Sequence, residues 1–331
     1  MRTLLRLLFI VTLAIILLVG WFYLHIHSKI TLPYVPYELS IRPGSSLKHV
    51  AQKLAQDDVL ITKWSLIVLA RYLNRDAEIK AGDYQLTENI TQIALLEYLT
   101  KGDARHNEIT FIEGWTFSQL RKILNEHPAI VNTTANLNDQ ELLQLIGAEE
   151  TATEGLFFPD TYYFIKGDSD IDILRRAYHA MRNHLQASWA LRTESLPLAT
   201  PYEALILASI IEKETAIESD RALIAGVFVN RLRKGMRLQT DPTIIYGLGE
   251  QFDGNLRKKD LLADQVYNTY TRAGLPPTPI ALPSLASIRA ALNPAKTDAL
   301  YFVAKGNGES EFSNNLTDHN EAVSKYQKQQ K

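Results

Sequence analysis

The segment Ala208-Ser209-Ile210-Ile211-Glu212-Lys213-Glu214-Thr215 carries an acid in a confined setting. At the 3.6-residue period of a helix, Leu205, Ala208, Ser209, Glu212, Thr215 and Ala216 share one face. That face is a strip of small side chains around one carboxylate, while Ile206, Ile210, Ile211 and Ile217 form an opposing stripe for core packing. Small neighbours leave room for a ligand, and partial desolvation raises a carboxyl pKa toward the range of a general acid. The competing reading of Glu212 is an exposed helix glutamate, the commonest setting for that residue. Glu214, two residues further along a helix, points away from Glu212.

Other polar groups gather downstream. Gln239, Thr240 and Asp241 precede Pro242, which holds them on a stiff backbone. Asn268 and Tyr270 precede a loop with four prolines between Pro276 and Pro283, and Asn314, His319 and Asn320 lie where the last loop enters a helix. Each has a local alternative: an Asx turn for Asp241, a cap for Asn314, a core hydrogen bond for Tyr270. Together they supply the amides, hydroxyls and acid of a polysaccharide cleft. Competing chemistries lack their residues. The chain has no cysteine, and its eight histidines are scattered without His-Glu-x-x-His spacing. There is no Gly-x-Ser-x-Gly elbow and no phosphate-cradling loop, and Gly247-Leu-Gly249 is too short for a dinucleotide fingerprint. No metal and no cofactor are expected. A formal net charge of −2 gives no basic field, which argues against a nucleic-acid partner.

The elements that must position these groups are legible in outline. Thr200 is an N-cap, Pro201 suits the first helical position, and Glu203 completes a capping box for the helix bearing Glu212. A helix is expected at about 170–190, and another from Ser219 or Asp220 to Lys234, closed by Gly235. Ile109–Ile112 reads as a strand and Ser118–Asn125 as a helix. The aromatic run Glu154–Ile165 reads as a core strand or as stacking walls for sugars. Ala299–Ala304 and Ser310–Ser313 read as a hairpin, followed by a helix from Thr317 or Asp318. Upstream, Tyr37–Arg42 and Lys80–Leu86 read as strands flanking helices at Leu47–Ala55 and Thr62–Leu73, with a short helix from Thr91 to Leu99 ending near Gly102. This is a compact strand–helix–helix–strand unit.

The N-terminus adds a location. Arg2 and Arg6 precede Leu7–Leu24, an uncharged run near the lower length limit for a spanning helix. The run ends in Trp21-Phe22-Tyr23, an interfacial cluster, without the small-x-small exit of a cleaved signal. An uncleaved single-pass anchor is expected, with the N-terminus cytoplasmic by the positive-inside rule and the rest on the outer side. Residues 25–37, with two prolines, read as an extended spacer. The fold class is therefore α+β: one transmembrane helix, the small unit, and a larger mixed domain. The expected boundaries are a tail at 1–6, the anchor at 7–26, a linker at 27–37, the small domain at 38–104 and the large domain at 105–328.

Two resemblances sharpen this. Ile41-x-Pro43-Gly44-x-Ser46, Val50-Ala51-x-x-Leu54 and Ile79-Lys80-Ala81-Gly82-x-Tyr84 resemble a LysM-like module, a class that binds N-acetylglucosamine polymers. Further on, Ser209–Thr215, Val227–Leu232, Gly235–Thr243, Tyr267–Tyr270, Gly274–Pro277 and Tyr301–Val303, with Glu154-Gly155 and Phe158–Asp160 upstream, occur in the order of the endolytic murein transglycosylase (YceG-like) family. The resemblance covers most of residues 38–328 and maps the family's catalytic glutamate to Glu212. It implies lytic cleavage of the β-1,4 bond between N-acetylmuramic acid and N-acetylglucosamine within glycan strands, leaving a 1,6-anhydro end. It also implies an inner-membrane enzyme facing the periplasm, working on peptidoglycan beside the peptidoglycan synthases. Two alternatives remain open: a hydrolytic muramidase using Glu212 with Asp241, and a non-catalytic anchored scaffold that binds glycan.

Overall fold

The computed structural model describes residues 2–87, 89–101 and 107–327. The expected helix end near Gly102, the boundary between residues 104 and 105, and the domain end at residue 328 fall outside the described residues. The chain divides into two compact units, residues 1–108 with 163–168, and residues 109–162 with 169–331.

The first unit begins with helix α1 (Arg2–His27), whose segment from Arg6 to His27 is long and apolar enough to cross a membrane. Strand β1 (Tyr37–Ile41), helices α2 (Leu47–Gln56) and α3 (Lys63–Tyr72), strand β2 (Gly82–Leu86) and helix α4 (Gln92–Lys101) follow. β1 and β2 pair antiparallel, with Tyr37 opposite Leu86 and Ile41 opposite Gly82. The period-two alternation of the strands turns Tyr37, Leu39, Ile41, Tyr84 and Leu86 inward. Helical spacing turns Leu47, Val50, Ala51 and Leu54 of α2 onto them. Ser46 and Thr62 cap α2 and α3 by accepting from His49 N and Trp64 N.

Of residues 25–37, expected as an extended spacer, 25–27 belong to α1, 33–36 bend and Tyr37 opens β1, and the segment between the two elements is tied down. Ile30 N donates to Ile90 O at 2.8 Å and Leu32 N to Asn89 Oδ1 at 3.1 Å. Ile30 and Leu32 alternate into the core, where Ile26 of α1 joins them. The prolines at 33 and 36 masked this short apolar alternation in the sequence.

Strands β3 (Asn107–Thr110) and β4 (Thr161–Phe164) form a second two-stranded sheet. Between them lie α5 (Phe117–Glu126) and α6 (Asp139–Ile146), each opened by a capping box, Thr116 with Gln119 and Asn138 with Glu141. Then come α7 (Asp170–Ala190), α8 (Pro201–Glu214), α9 (Glu218–Arg233), α10 (Asp241–Leu248), α11 (Lys258–Leu262) and α12 (Leu285–Leu292). A hairpin of β5 (Tyr301–Ala304) and β6 (Ser310–Ser313) precedes α13 (Leu316–Gln327), which packs on both its strands.

α8 is the centre of the second unit, packed against α7, α9, α10 and α12. Every residue from Ala204 to Ile211 is buried, so this helix is covered on all sides. Thr200 caps it as expected, but the Glu203 carboxylate accepts from Ala199 N at 2.6 Å. The aromatic run yields a strand only at Thr161–Phe164. Before Pro159 the chain is irregular, with Phe157 buried and stacked on Phe117 at 5.1 Å. α9 starts at Glu218 without a side-chain cap, because Asp220 is buried and accepts from Ser310 N at 2.6 Å.

Candidate active site

The last turn of α8 is partly open to solvent, as its first turn is, and Thr215 leaves the helix in an extended conformation. Its two acids meet different surroundings. Glu212 Oε2 accepts from Ser284 N at 2.9 Å and from Ser284 Oγ at 2.5 Å. Ser284 is the N-cap of α12, its hydroxyl also accepting from Ser287 N at 3.2 Å, so Glu212 is fastened to the start of that helix. At Glu113, partial burial and then the charge of Glu212 raise the carboxyl pKa, against the pull of Arg221.

Glu214 opens on a cavity of about 650 Å³ lined also by Arg231, Gln239, Asp241, Tyr270 and His319. Its Oε1 accepts from Thr240 Oγ1. Burial pushes this carboxyl up to about 7, and the charge of Asp241 adds to it. The Thr240 hydroxyl and the Arg231 cation act in the opposite direction. Near neutral pH such a group holds a proton part of the time and can both donate and accept one.

The walls are held by backbone contacts. Arg231, buried on α9, donates from Nε to Leu300 O at 2.6 Å and from Nη1 to Leu238 O at 2.8 Å. Its guanidinium lies over the Tyr301 ring at 5.0 Å, and Tyr301 stacks on His319 at 5.1 Å. Burial, then Arg231, lowers the His319 pKa and favours the neutral imidazole. Gln239 takes a left-handed φ of 51°, uncommon away from glycine, and its N–H donates to Thr269 O at 3.1 Å. Thr240 N donates to Thr269 Oγ1 at 3.1 Å, which fixes the hydroxyl that reaches Glu214. Tyr270 OH donates to Asp241 Oδ1 at 2.6 Å, and burial followed by that carboxylate holds the phenol above its ordinary pKa.

Of the residues expected to form the site, Gln239, Asp241 and Tyr270 share this cavity, and Thr240 reaches it through Glu214. Asn268 is fully buried beneath it. Its amide donates to Ala263 O at 2.6 Å and Leu261 O at 3.1 Å and accepts from Tyr270 N at 2.8 Å, which shapes the loop. Asn314 lines a different cavity of about 550 Å³, beside Glu311, Asp318 and Lys325. Glu212 is not among the residues lining the cavity of Glu214. Among the described residues, no three His, Asp or Glu side chains gather as metal ligands.

Sequence reasoning passed over Glu214 and Arg231. A usable signal was Thr240-Asp241-Pro242, an N-cap followed by a first-turn proline, which marks α10 and turns Thr240 toward the end of α8.

Comparison with known proteins gives consistent findings. Residues 39–325 match the model of the YceG-like family. The chain is 33% identical over 305 residues to the endolytic murein transglycosylase of Bacillus subtilis, covering 87% of this chain and 84% of that protein. It is 28% identical over 322 residues to the endolytic murein transglycosylase of Streptococcus pneumoniae, of which it spans 58%. A crystal structure of a yceG-like protein from Listeria monocytogenes superposes with a TM-score of 0.52 at 29% identity, covering 86% of this chain and 98% of that one.

Proposed function

The chain belongs to the YceG-like family, and from that premise we propose that it is a lyase acting on peptidoglycan, an endolytic murein transglycosylase, with Glu214 as its acid–base group. The observation that carries the assignment is a desolvated carboxyl, raised to about 7, opening on a cavity with amide, phenol and guanidinium walls.

The substrate bond is the β-1,4 link between N-acetylmuramic acid and N-acetylglucosamine. Protonated Glu214 gives its proton to the leaving O4 while C1 takes on oxocarbenium character. The carboxylate so formed is favoured by the nearby Arg231 charge, and it then removes the proton from the muramic acid's own C6 hydroxyl. That oxygen attacks C1 and closes the 1,6-anhydro ring. The proton lost is regained, one C–O bond breaks and one forms, and no water is consumed. Gln239 and Tyr270 supply hydrogen bonds to the sugar chain.

Two further readings have a supporting observation. Hydrolysis is favoured by Asp241, a second carboxylate close enough to raise Glu214. Glu212 as the acid is favoured by its proximity to Glu113, whose carboxyl it raises. The α1 helix, with Arg6 on its N-terminal side, supports an inner-membrane anchor with a cytoplasmic N-terminus and a periplasmic catalytic unit near the peptidoglycan synthases. The β1–α2–α3–β2 order supports reading the small unit as LysM-like and glycan-binding.

The test is digestion of purified peptidoglycan by the full-length protein, with products read by mass spectrometry. Anhydro ends are expected, lost in Glu214→Gln and retained in Glu212→Gln. Products heavier by one water would establish hydrolysis. Loss in Glu212→Gln with retention in Glu214→Gln would move the acid to Glu212.

A further inference from the structure

Helix α3 is apolar on two faces, one buried and the other exposed. Its inner face, with Leu66, Ile67, Leu69 and Ala70, is buried in the core of the first unit. The outer face carries Trp64, Val68 and Tyr72 at i, i+4 and i+8, which places them on one side of the helix. They are 57%, 49% and 81% exposed, and Ile61, just before the cap, is 90% exposed. Three large apolar residues exposed along one helix, with a fourth just before its cap, form a recognition surface rather than scattered surface apolarity.

The same unit fixes where this row sits. α1 packs against both α3 and α4. Ile26 belongs to the buried core of the unit, Phe22 packs against it, and His25 Nε2 lies 3.1 Å from Gln92 Nε2. On the same stretch of α1, Trp21 and Tyr23 are exposed, the amphipathic rings that settle at headgroup depth. From Trp21 to Ile26 a helix rises about 7 Å. The core of the unit therefore begins within about two turns of the expected lipid–water boundary, and α3 lies beside it. α3 also contains Lys63 and Arg71 and no acid, with Lys63 Nζ 5.7 Å from the Trp64 ring. Aromatic and aliphatic residues on one face, with cations at both ends, are the composition of an interfacial helix at an anionic bilayer.

We propose that the Ile61–Trp64–Val68–Tyr72 face of α3 is seated in the outer headgroup region of the membrane that α1 spans. The occupant of this face is lipid. The small unit is thereby a second membrane contact and not a freely swinging spacer, because one span allows rotation while a span plus an adjacent interfacial helix resists it. The proposal rests on reading α1 as a membrane span.

The natural absence of cysteine makes a labelling test direct. Full-length protein is reconstituted in vesicles of phosphatidylethanolamine and phosphatidylglycerol with a spin label on Val68→Cys, and separately on Leu13→Cys within α1 and on Lys48→Cys at an exposed position of α2. Collision with oxygen, which partitions into lipid, is compared with collision with a water-soluble nickel chelate. Leu13 and Val68 are expected to favour oxygen and Lys48 the chelate, so the ratio reverses between Val68 and Lys48. A lipid signature at Leu13 with a water signature at Val68 overturns the proposal and leaves the anchor standing. A water signature at Leu13 overturns the anchor and the proposal with it. Shielding of Val68 from both reagents overturns it in favour of a protein occupant.

Discussion

The Glu214→Gln variant is expected to lose activity and gain stability, and the gain should depend on pH. Glu214 titrates near 4.5 in an unstructured chain and at about 7 in the fold, chiefly because burial disfavours its charged form. Between those values the folded protein holds a proton that the unfolded chain has released. Stability therefore falls as pH rises across that window and stays low above it, by about 3 kcal/mol at the limit. Glutamine has no proton to lose, and its carbonyl can still accept from the Thr240 hydroxyl. It does forfeit attraction to Arg231, which offsets part of the gain. The variant should exceed the parent by about 1–3 kcal/mol at pH 8 and match it near pH 4.5. At this domain size that is an increase in Tm of roughly 2–10 °C. The measurement is thermal unfolding of both full-length proteins in the same detergent at pH 8 and pH 5, paired with peptidoglycan digestion. A variant less stable than the parent at pH 8 would refute the reasoning, because it would mean that ionised Glu214 is a net stabilising partner of Arg231.

Two other substitutions probe the scaffold. Asp170 is fully buried, which by itself raises its pKa, but hydroxyl and N–H donors from Thr133 and Thr134 hold the carboxyl below its ordinary value. Its contribution is thus complete above about pH 4 and lost as pH falls through the lower folded value. Asp170→Asn should cost about 2–4 kcal/mol at pH 7 in urea unfolding and less at pH 3, with an equal cost at both counting against the charge-based account. Gly155 has φ of 78°, and a Cβ there would lie 2.4 Å from Pro279 Cβ and 3.3 Å from Ala281 O. Gly155→Ala should therefore lower stability by about 2–4 kcal/mol through backbone strain and overpacking, and an unchanged urea midpoint would contradict this.

Much of the fold was legible because its signals are local. Thr200-Pro201, the 3.6-residue spacing of Leu47, Val50, Ala51 and Leu54, and the paired runs Ala299–Ala304 and Ser310–Ser313 each fix an element within a few residues. What was not legible depended on tertiary contacts. Asp220 reads as a helix cap, yet it is used 90 residues away at Ser310 N. Asn268 has the look of a ligand residue in sequence, and only the fold shows its amide spent on the carbonyls of its own loop.

The two acids of α8 show why the site was harder to read than the scaffold. A helical wheel separates core from solvent only when one side of the helix meets water. From Ala204 to Ile211 no side of α8 does, so the strip of small residues around Glu212 marks close packing as readily as room for a ligand. At the last turn the question becomes which neighbour each acid meets, and that is settled by α10 and α12. Ser284, capping α12, takes Glu212, and Thr240, capping α10, takes Glu214. The first acid receives both an N–H and an O–H, from the same residue. The second receives one hydroxyl, and burial raises its carboxyl to about 7. Two residues apart in sequence, the acids differ in the number of donors that reach them, and the difference comes from two capping residues 44 positions apart whose partners no periodicity in the chain foretells.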